Sequence, residues 1–473
     1  MANACAFYTC GCLDNECSGG GCPSLGDGCT DQMRSDCAAF ACGCAGNQCS
    51  GGACPPLAPS QDLPTATQFN VATERAALLD GVSSPVRIGV SSVPGGIAMF
   101  DAQSFPVLLS DQMPVVAASR SHSGRAVAFG HPDFFDRTVL TNLANASTAR
   151  LVENAARWAA AGKPTPHVGV IAGANDGLVG LLSPTMTVRT LASPITASSL
   201  AGLDVVTFIA NTPRSESEIQ ALESFNINGG GLLVAGLGWS WMISPMTELR
   251  EMPGNRVLAR TYLGYTEASR DPAAIPVQAS PPSISNAVHA YNHLRAAAPP
   301  TSATGIADIR RIQGYVRDVI PLLTLPSKLK AALQQLMQAT KDVYPSAATP
   351  LDPVDRPFQT LGLMYAARRP FEPAQVQAHP AASDFPGAVA ASAPRVDKYV
   401  AIDTRVPGWH STELYAAPGQ LLGLLVPQQA IGGGLRLRIG AHTGARRLCA
   451  RDGPHPDQQR GRGAALPARC HDR

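Results

Sequence analysis

The chain has 473 residues, more than one hydrophobic core supports, and this length indicates about three domains. Its net charge of +2 is near neutral, so charge gives no reason to expect a nucleic-acid or membrane-surface partner. No apolar run is long enough to span a bilayer, and the N-terminus as written lacks the basic and apolar segments of a signal peptide.

The first 56 residues are rich in cysteine. Eleven of the 13 cysteines lie between Cys5 and Cys54, and the pattern C-x4-C-x-C-x4-C-x4-C occurs twice, starting at Cys5 and at Cys37. Each copy is too short to bury a core, so residues 1–56 are predicted to form a duplicated disulfide module. Thiolate metal ligation is the alternative, although the module has no histidine. Disulfides imply an extracellular or cell-envelope location.

Residues 57–67 are rich in proline and are predicted to be a linker. Residues 68–251 then contain apolar runs without polar alternation, which is typical of parallel strands buried on both faces. The predicted strands are Val86–Ser91, Phe105–Ser110, Arg125–His131, His167–Gly173, Asp204–Ala210 and Gly231–Gly236.

Two helices are predicted between these strands, over residues 145–162 and 215–225. The second begins with a capping box formed by Ser215 and Glu218, so residues 204–236 are expected to form a β-α-β unit. Open α/β sheets bind ligands at the carboxyl ends of their strands, where this chain has "GHPDFF", "AGANDG", "ANTPRSES" and "AGLGWSWM". These loops could form a binding site, or they could be ordinary strand-to-helix connections.

The stretches "SGRAVAFGHPDFF" and "LDVVTFIANTPRSESEIQALESFNINGGGLLVAGLGWSW" resemble the class I glutamine-amidotransferase-like fold, which has a flavodoxin-like parallel sheet. An active amidotransferase needs a cysteine nucleophile on a sharp turn after a strand. Residues 68–251 contain no cysteine, and the turn after the last strand has Gly236, Leu237, Gly238 and Trp239. We therefore expect a scaffold or binding domain. A hydrolase that uses serine, histidine and aspartate is a further alternative.

Residues 252–344 are predicted to be a helical connector. In "ISNAVHAYNHLRAAA", His289 and His293 are four residues apart and share a helix face, as in zinc proteases. The glutamate that should follow the first histidine is absent, so we expect two ordinary histidines rather than a metal site. Two more helices follow, interrupted by Pro321 and Pro326.

Residues 345–443 are predicted to form a β-sandwich. Residues 417–419 suit a turn, because proline presets its second position and glycine accepts positive φ at its third. In "LRLRI", Leu435, Leu437 and Ile439 alternate with arginines, as in a half-buried strand. The chain is thus expected to have a multidomain α/β plus β fold.

The stretches "RVPGWHSTELYAAPGQLLGLLVP" and "GLRLRIGAHT" resemble the β-sandwich that precedes the catalytic domain in enhancin-like, mucin-targeting zinc metallopeptidases of family M-sixty. Glu413 and Gly444 depart from the family pattern, which has glycine and aspartate at these positions. The residues that match are Trp409, Ser411, Thr412, Leu414, Tyr415, Ala416, Pro418, Gly419, Pro427, Ile439, Gly440, His442 and Thr443. Bacterial members and vertebrate channel-associated factors of this group have an amidotransferase-like domain ahead of the sandwich.

The resemblance implies a following domain in which H-E-x-x-H binds zinc and activates water. None of the ten histidines of this chain is followed by glutamate, so we expect no catalytic, cofactor-binding or metal residues here, and zinc only in that other domain. Residues 444–473 contain seven arginines and no Ile, Val, Phe, Tyr or Trp, and are predicted to be a disordered tail. We interpret them as the product of a reading-frame shift near Gly444; the alternative is a genuine basic tail that binds polyanions.

The resemblance leads to two hypotheses about function. In the first, the chain is the secreted or surface-associated accessory part of a mucin- or glycoprotein-directed zinc metallopeptidase, and it binds a glycoprotein, a mucin or a cell-surface glycan. In the second, it is a stand-alone adhesion or interaction protein that binds glycans or a protein partner.

Overall fold

The computed structural model describes most of residues 62–428 and four short strands near the N-terminus. The described ranges are 12–13, 16–17, 44–45, 48–49, 62–173, 176–243, 248–270, 274–280, 284, 286–340, 345–346, 350–369, 378, 382, 384, 388–403, 405–406, 410–412, 414–420 and 422–428. The chain divides into two units, residues 1–421 and 422–473. All the described helices and strands lie in the first unit.

The cysteine-rich module contributes two short antiparallel hairpins. Strands β1 (Cys12–Leu13) and β2 (Glu16–Cys17) pair with each other, as do β3 (Cys44–Ala45) and β4 (Gln48–Cys49). Cys12 is opposite Cys17, and Cys44 is opposite Cys49, so the two sequence copies have the same backbone register. The predicted disulfides stay a prediction, because the rest of the module lies outside the described residues.

A seven-stranded mixed sheet forms the centre of the α/β body. The strands are β7 (Ser104–Ser110), β8 (Met113–Ser121), β9 (Gly124–Phe129), β10 (His167–Ile171), β11 (Thr187–Leu191), β12 (Val205–Ile209) and β13 (Gly231–Ala235). Their spatial order is β11-β10-β12-β13-β9-β8-β7, and the first five strands in this order are parallel to one another. β8 pairs antiparallel with β9, and β7 pairs antiparallel with β8.

The prediction of a parallel sheet is correct for only part of it. β7 joins β8 through a tight turn at Asp111 and Gln112, both of which have positive φ (44° and 64°). This turn type normally carries Asn-Gly or Asp-Gly, and with glutamine in place of glycine the hairpin has no clear signal in the sequence. β8 and β11 were not predicted. The predicted strand at 86–91 shortens to β5 (Val86–Arg87), which lies outside the large sheet.

The body extends beyond its predicted end at residue 251. β6 (Gly95–Met99) pairs antiparallel with β14 (Leu263–Ser269), and β5 pairs with β15 (Ala274–Ile275). Residues 263–275 therefore belong structurally to the α/β body rather than to the helical connector.

Helices cover both faces of the sheet. On one face, α3 (Ala146–Ala159) and α4 (Asp176–Leu182) pack in a cluster with Phe105 and Leu233. On the other face, α6 (Glu216–Ile227) and α8 (Pro253–Leu258) pack in a cluster with Phe208. The capping box of Ser215 and Glu218 is present, which confirms the predicted start of α6. The body also contains the helices α1 (Val71–Leu78), α2 (Arg137–Leu140), α5 (Ala197–Leu200) and α7 (Gly238–Ile243).

The helices from residue 287 onward pack in a second hydrophobic cluster, the helical core. It contains α9 (Ala287–Ala296), α10 (Ala303–Val319) and α11 (Lys328–Ala339), with Pro321 in a 3-10 turn between the last two. A fourth helix, α12 (Pro357–Arg368), joins this core through an edge-to-face contact of Phe358 with Tyr291. Among the described helices, none combines the length and the apolar character needed to cross a membrane.

The end of the predicted linker is part of this helical core. Leu63 is buried, and its backbone N–H and C=O groups bind the side-chain amide of Asn292 at 2.7 and 2.8 Å. Asp62 accepts hydrogen bonds from Arg295. The segment therefore holds α9 against the chain that leads into the body.

The predicted β-sandwich spans residues 345–443, and α12 lies inside that range. No strand forms in the described part of 388–428. The predicted turn is present: Gly419 has φ 71°, and Gln420 N donates to Ala417 O at 3.0 Å. The predicted strand at 435–439 lies outside the described residues, as does the tail at 444–473.

Candidate functional site at the carboxyl edge of the sheet

Four of the predicted site loops lie along one edge of the sheet. They follow β9, β10, β12 and β13, which are parallel, so their carboxyl ends share that edge. A topological switch point lies between the neighbouring strands β10 and β12. From β10 the chain continues to β11 on one side, and from β12 it continues to β13 on the other side. Sheets of this kind bind ligands at such a point. The sequence predicted the edge correctly, but not which residues face it.

The two glycine positions of the turn after β13, Gly236 and Gly238, have no room for a nucleophile. A β-carbon on Gly238 would lie 2.2 Å from the carbonyl oxygen of Thr266, and one on Gly236 would lie 2.5 Å from the β-carbon of Ala210. Both distances are far below van der Waals contact. Amidotransferase chemistry places a cysteine on this turn, and here even an alanine would clash.

Hydrogen bonds fix the same turn to its neighbour. Asn211 Nδ2 donates to Leu237 O, and Leu237 N donates to Asn211 Oδ1, both at 2.9 Å. Trp239 Nε1 donates to Val93 O at 3.2 Å. These bonds hold the turn in place and engage the backbone N–H of Leu237, which is therefore not available to stabilise an oxyanion intermediate.

Ser92, His131 and Asp133 lie together beyond the end of β9. Ser92 Oγ donates to Asp133 Oδ2, and His131 Nδ1 lies 3.3 Å from Asp133 Oδ1. The hydrogen bond from His131 holds the pKa of Asp133 below its usual value, and the Ser92 hydroxyl acts in the same direction. A hydrolase places histidine between serine and aspartate so that it can take the serine proton. Here aspartate is in the middle, so this cluster does not activate Ser92.

Glu218 ties together the loops after β11 and β12. Its carboxylate accepts from Ile195 N and Ser215 N, each at 3.0 Å. Burial acts to raise the pKa of Glu218, but these backbone bonds and the Ser215 and Ser193 hydroxyls outweigh it and lower the pKa to about 2. Glu218 is therefore a charged structural anchor at the switch point.

A cleft of about 460 Å³ lies where the α/β body meets the helical core. Its lining combines three carboxylates and three guanidinium groups with the apolar residues Met242, Leu249 and Pro321. The charged residues are Glu248, Arg250, Glu267, Asp318, Arg368 and Arg369. Arg368 Nη1 lies 3.9 Å from Glu267 Oε1, which links α12 to β14. We call these nine residues the charged cleft.

The charged cleft has no signal in the sequence, because its residues come from four separate segments of the chain. Arg214, which lies within the predicted loop "ANTPRSES", was also not singled out. Its position in the sequence, directly before the N-cap Ser215 and after the strand β12, is the feature that could have marked Arg214 as a candidate site residue.

The described histidines, cysteines and carboxylates do not form a metal site. His289 and His293 do share a helix, but in the part of the chain that the structure describes no three His, Cys, Asp or Glu residues come together as ligands. The sequence also lacks H-E-x-x-H. These residues do not fit the zinc centre of a peptidase, and no catalytic step is derived from one.

Two parts of the chain match protein families. Residues 50–280 match the family described as "TRPM8, N-terminal domain", and residues 391–466 match the "N-terminal domain of M60-like peptidases". The second match continues past Gly444 to residue 466. It therefore does not favour the predicted reading-frame shift near Gly444.

Similar proteins include TRPM8 channel-associated factors. The homolog from Xenopus laevis is 24% identical over 397 residues, which cover 80% of this chain and 40% of the relative. The homolog from Danio rerio is 27% identical over 201 residues, or 41% of this chain and 20% of the relative. Factor 2 from Bos taurus is 29% identical over 196 residues, or 40% and 19%. The chain thus spans only part of the length of these relatives.

Among solved structures, the IMPa metallopeptidase from Pseudomonas aeruginosa is similar at 15% identity and a TM-score of 0.40, over 63% of this chain and 37% of that one. IMPa in complex with an O-glycopeptide matches at 14% identity and a TM-score of 0.40, over 65% and 38%.

Proposed function

We propose that this chain is the non-catalytic, ligand-binding part of a secreted or surface-associated protein related to M60-like peptidases, and that it binds the glycans of a glycoprotein or mucin. The observation that carries the proposal is the charged cleft. Its volume is in the range of about 300–1,000 Å³ that is usual for ligand pockets.

The chemistry of the cleft suits a neutral, polyhydroxylated ligand. Its three carboxylates and three guanidinium groups balance, so a strongly charged ligand gains little there. Each sugar hydroxyl both donates and accepts hydrogen bonds; the guanidinium groups of the cleft can donate and its carboxylates can accept. The apolar lining residues can cover the less polar face of a sugar ring.

The family matches support the class of protein. The match to the N-terminal domain of M60-like peptidases follows the match to the TRPM8-associated N-terminal domain, which is the domain order expected for an accessory region. The closed turn at Gly236 and Gly238 supports a binding role for the body rather than amidotransferase catalysis.

Binding of a protein partner is the second candidate function. It is favoured by the similarity to proteins named as channel-associated factors. A pull-down of candidate protein partners with the purified chain tests it, and enzymatic removal of their glycans separates the two candidates. Retention that survives deglycosylation supports the protein-partner function.

A glycan array with the purified chain tests the first proposal. We expect retention on mucin-type glycans and a loss of about tenfold in affinity for Glu267→Gln, because each charged hydrogen bond contributes roughly 1.5–3 kcal/mol. Glu153→Gln, on an ion pair of α3 far from the cleft, is the matched control and should bind like wild type. No retention on any glycan, or equal binding by the cleft variant, contradicts the proposal.

A cleavage assay tests whether the chain lacks peptidase activity. Purified protein is incubated with mucin and with casein, with and without added zinc. We expect no fragments in either condition, because the chain has no H-E-x-x-H. Zinc-dependent cleavage that a chelator stops would show that the proposal is wrong.

A further inference from the structure

Arg214 occupies the topological switch point of the sheet. It follows the end of β12 at Ile209 and directly precedes Ser215, the N-cap of α6. It therefore lies in the loop at the carboxyl end of β12, at the edge where open α/β sheets bind ligands.

Among the residues that the structure describes, no carboxylate forms an ion pair with the guanidinium group of Arg214. It stacks 5.0 Å from the ring centre of Phe208, and its Nε is buried without a hydrogen-bond acceptor. Burial lowers the pKa of Arg214, while the charge of Glu218 acts to raise it. Arginine stays charged in proteins, and the buried Nε–H of Arg214 is a hydrogen-bond donor of this charged group that lacks an acceptor.

The two nearest carboxylates on α6 are already engaged. Glu218 accepts hydrogen bonds from Ile195 N and Ser215 N, and Glu216 accepts from Arg256. Neither can turn to Arg214 without breaking these bonds.

We propose that Arg214 anchors an oxyanion-binding site at the carboxyl edge of the sheet, which takes a carboxylate, sulfate or phosphate group. The planar guanidinium fork suits two oxygens of such a group, and Phe208 holds the fork in place from below. The site is distinct from the charged cleft and does not depend on the proposed glycan binding there.

Titration calorimetry with sodium sulfate tests the site, with sodium chloride at equal ionic strength as the reference. We expect specific sulfate binding by wild type and a loss of about tenfold or more for Arg214→Gln, which corresponds to about 1.4 kcal/mol. Arg214→Lys keeps the charge but not the fork, so its affinity should lie in between.

Arg157→Gln is the matched control, because Arg157 lies on α3, away from this site, and pairs with Glu153. It should bind sulfate within about twofold of wild type, the scatter we allow between variants. Circular dichroism checks that each variant is folded. If Arg214→Gln does not fold, the comparison of Arg214→Lys with wild type decides the question. Absence of sulfate binding by wild type, or unchanged binding by the Arg214 variants, overturns the proposal.

Further arms of the same titration distinguish the sources of the oxyanion. Inorganic phosphate represents a free anion, and sialyllactose represents a carboxylate carried by a sugar, with lactose as its uncharged reference. Arg214-dependent binding of sialyllactose but not lactose identifies an acidic glycan as the ligand. Arg214-dependent binding of phosphate or sulfate alone identifies a free anion.

Discussion

The α/β body and the segment from residue 388 to 420 place similar side chains in opposite environments. Phe208 and Leu233 are fully buried between the sheet and its helices, whereas Tyr399, Leu414 and Tyr415 are 90%, 48% and 64% exposed. Each strand of the body has hydrogen-bonded neighbours, and the described residues of the segment form no strand. Apolar residues at strand-like spacing therefore give a core only where neighbouring elements cover them.

The largest effect is expected at a glycine of the body. Gly238→Ala places a methyl group 2.2 Å from the carbonyl oxygen of Thr266, and backbone atoms cannot move aside as a side chain can. We expect a loss of more than about 3 kcal/mol in the free energy of unfolding, at the upper end of overpacking costs. Urea denaturation followed by circular dichroism measures it.

Gly180→Ala is the control for this variant, since Gly180 lies in α4 with no atom within 4 Å of the new methyl group. There we expect a gain of about 0.5–1 kcal/mol from helix propensity. Equal stability of Gly238→Ala and wild type would mean that the turn after β13 is open, and a nucleophile at this position would again be possible.

A cavity in the body should cost almost as much. Leu233→Ala removes a fully buried side chain from the central strand β13, and we expect a loss of about 3 kcal/mol in unfolding free energy. Leu143→Ala, at a position 91% exposed, should change it by less than about 0.5 kcal/mol. Similar effects for the two leucines would contradict the assignment of β13 to the centre of the sheet.

The sequence predicted the strands of the body where a strand is apolar throughout, as in residues 205–209 and 231–235. It missed β8 because the preceding turn has Gln112 after Asp111, where glycine is usual. It missed β14 because that strand pairs with residues 95–99, far away in the sequence. Periodicity describes one element at a time and does not say which element will be its partner.

The candidate sites show the same limit. Strand ends located the carboxyl edge, because parallel strands share an edge whatever their side chains are. The missing nucleophile could be read directly from the absence of cysteine. The charged cleft could not be predicted, because Glu267 and Arg368 meet only after the helical core packs on the body. Burial of Arg214 against Phe208 likewise depends on packing.

A smaller, pH-dependent effect is expected at Glu218. Its pKa is lowered from 4.5 to about 2 in the folded protein, so its stabilising contribution is complete above about pH 5 and is lost as the pH falls toward 2. Glu218→Gln should lose about 2 kcal/mol at neutral pH, as expected for breaking buried charged hydrogen bonds. The variant should also show a weaker decline of stability between pH 5 and pH 2, measured by denaturation at each pH.

Asp403→Asn provides the comparison from the other region. The hydrogen bond from Arg405 lowers the pKa of Asp403, but this pair is exposed to solvent. Water screens such a pair, so we expect no measurable change in unfolding or in its pH dependence. A pH dependence that is the same in Glu218→Gln and wild type would show that the Glu218 anchor does not form.

The smallest effect is expected in the exposed segment, and it tests the predicted β-sandwich. Leu414→Ser and Tyr415→Ser replace side chains that are 48% and 64% exposed, so each should change the unfolding free energy by less than about 0.5 kcal/mol. A sandwich core would bury these residues, and the same substitutions would then cost more than about 2 kcal/mol. Denaturation of both variants separates the two outcomes: a large loss would place residues 414 and 415 in a packed core and remove the contrast with the body.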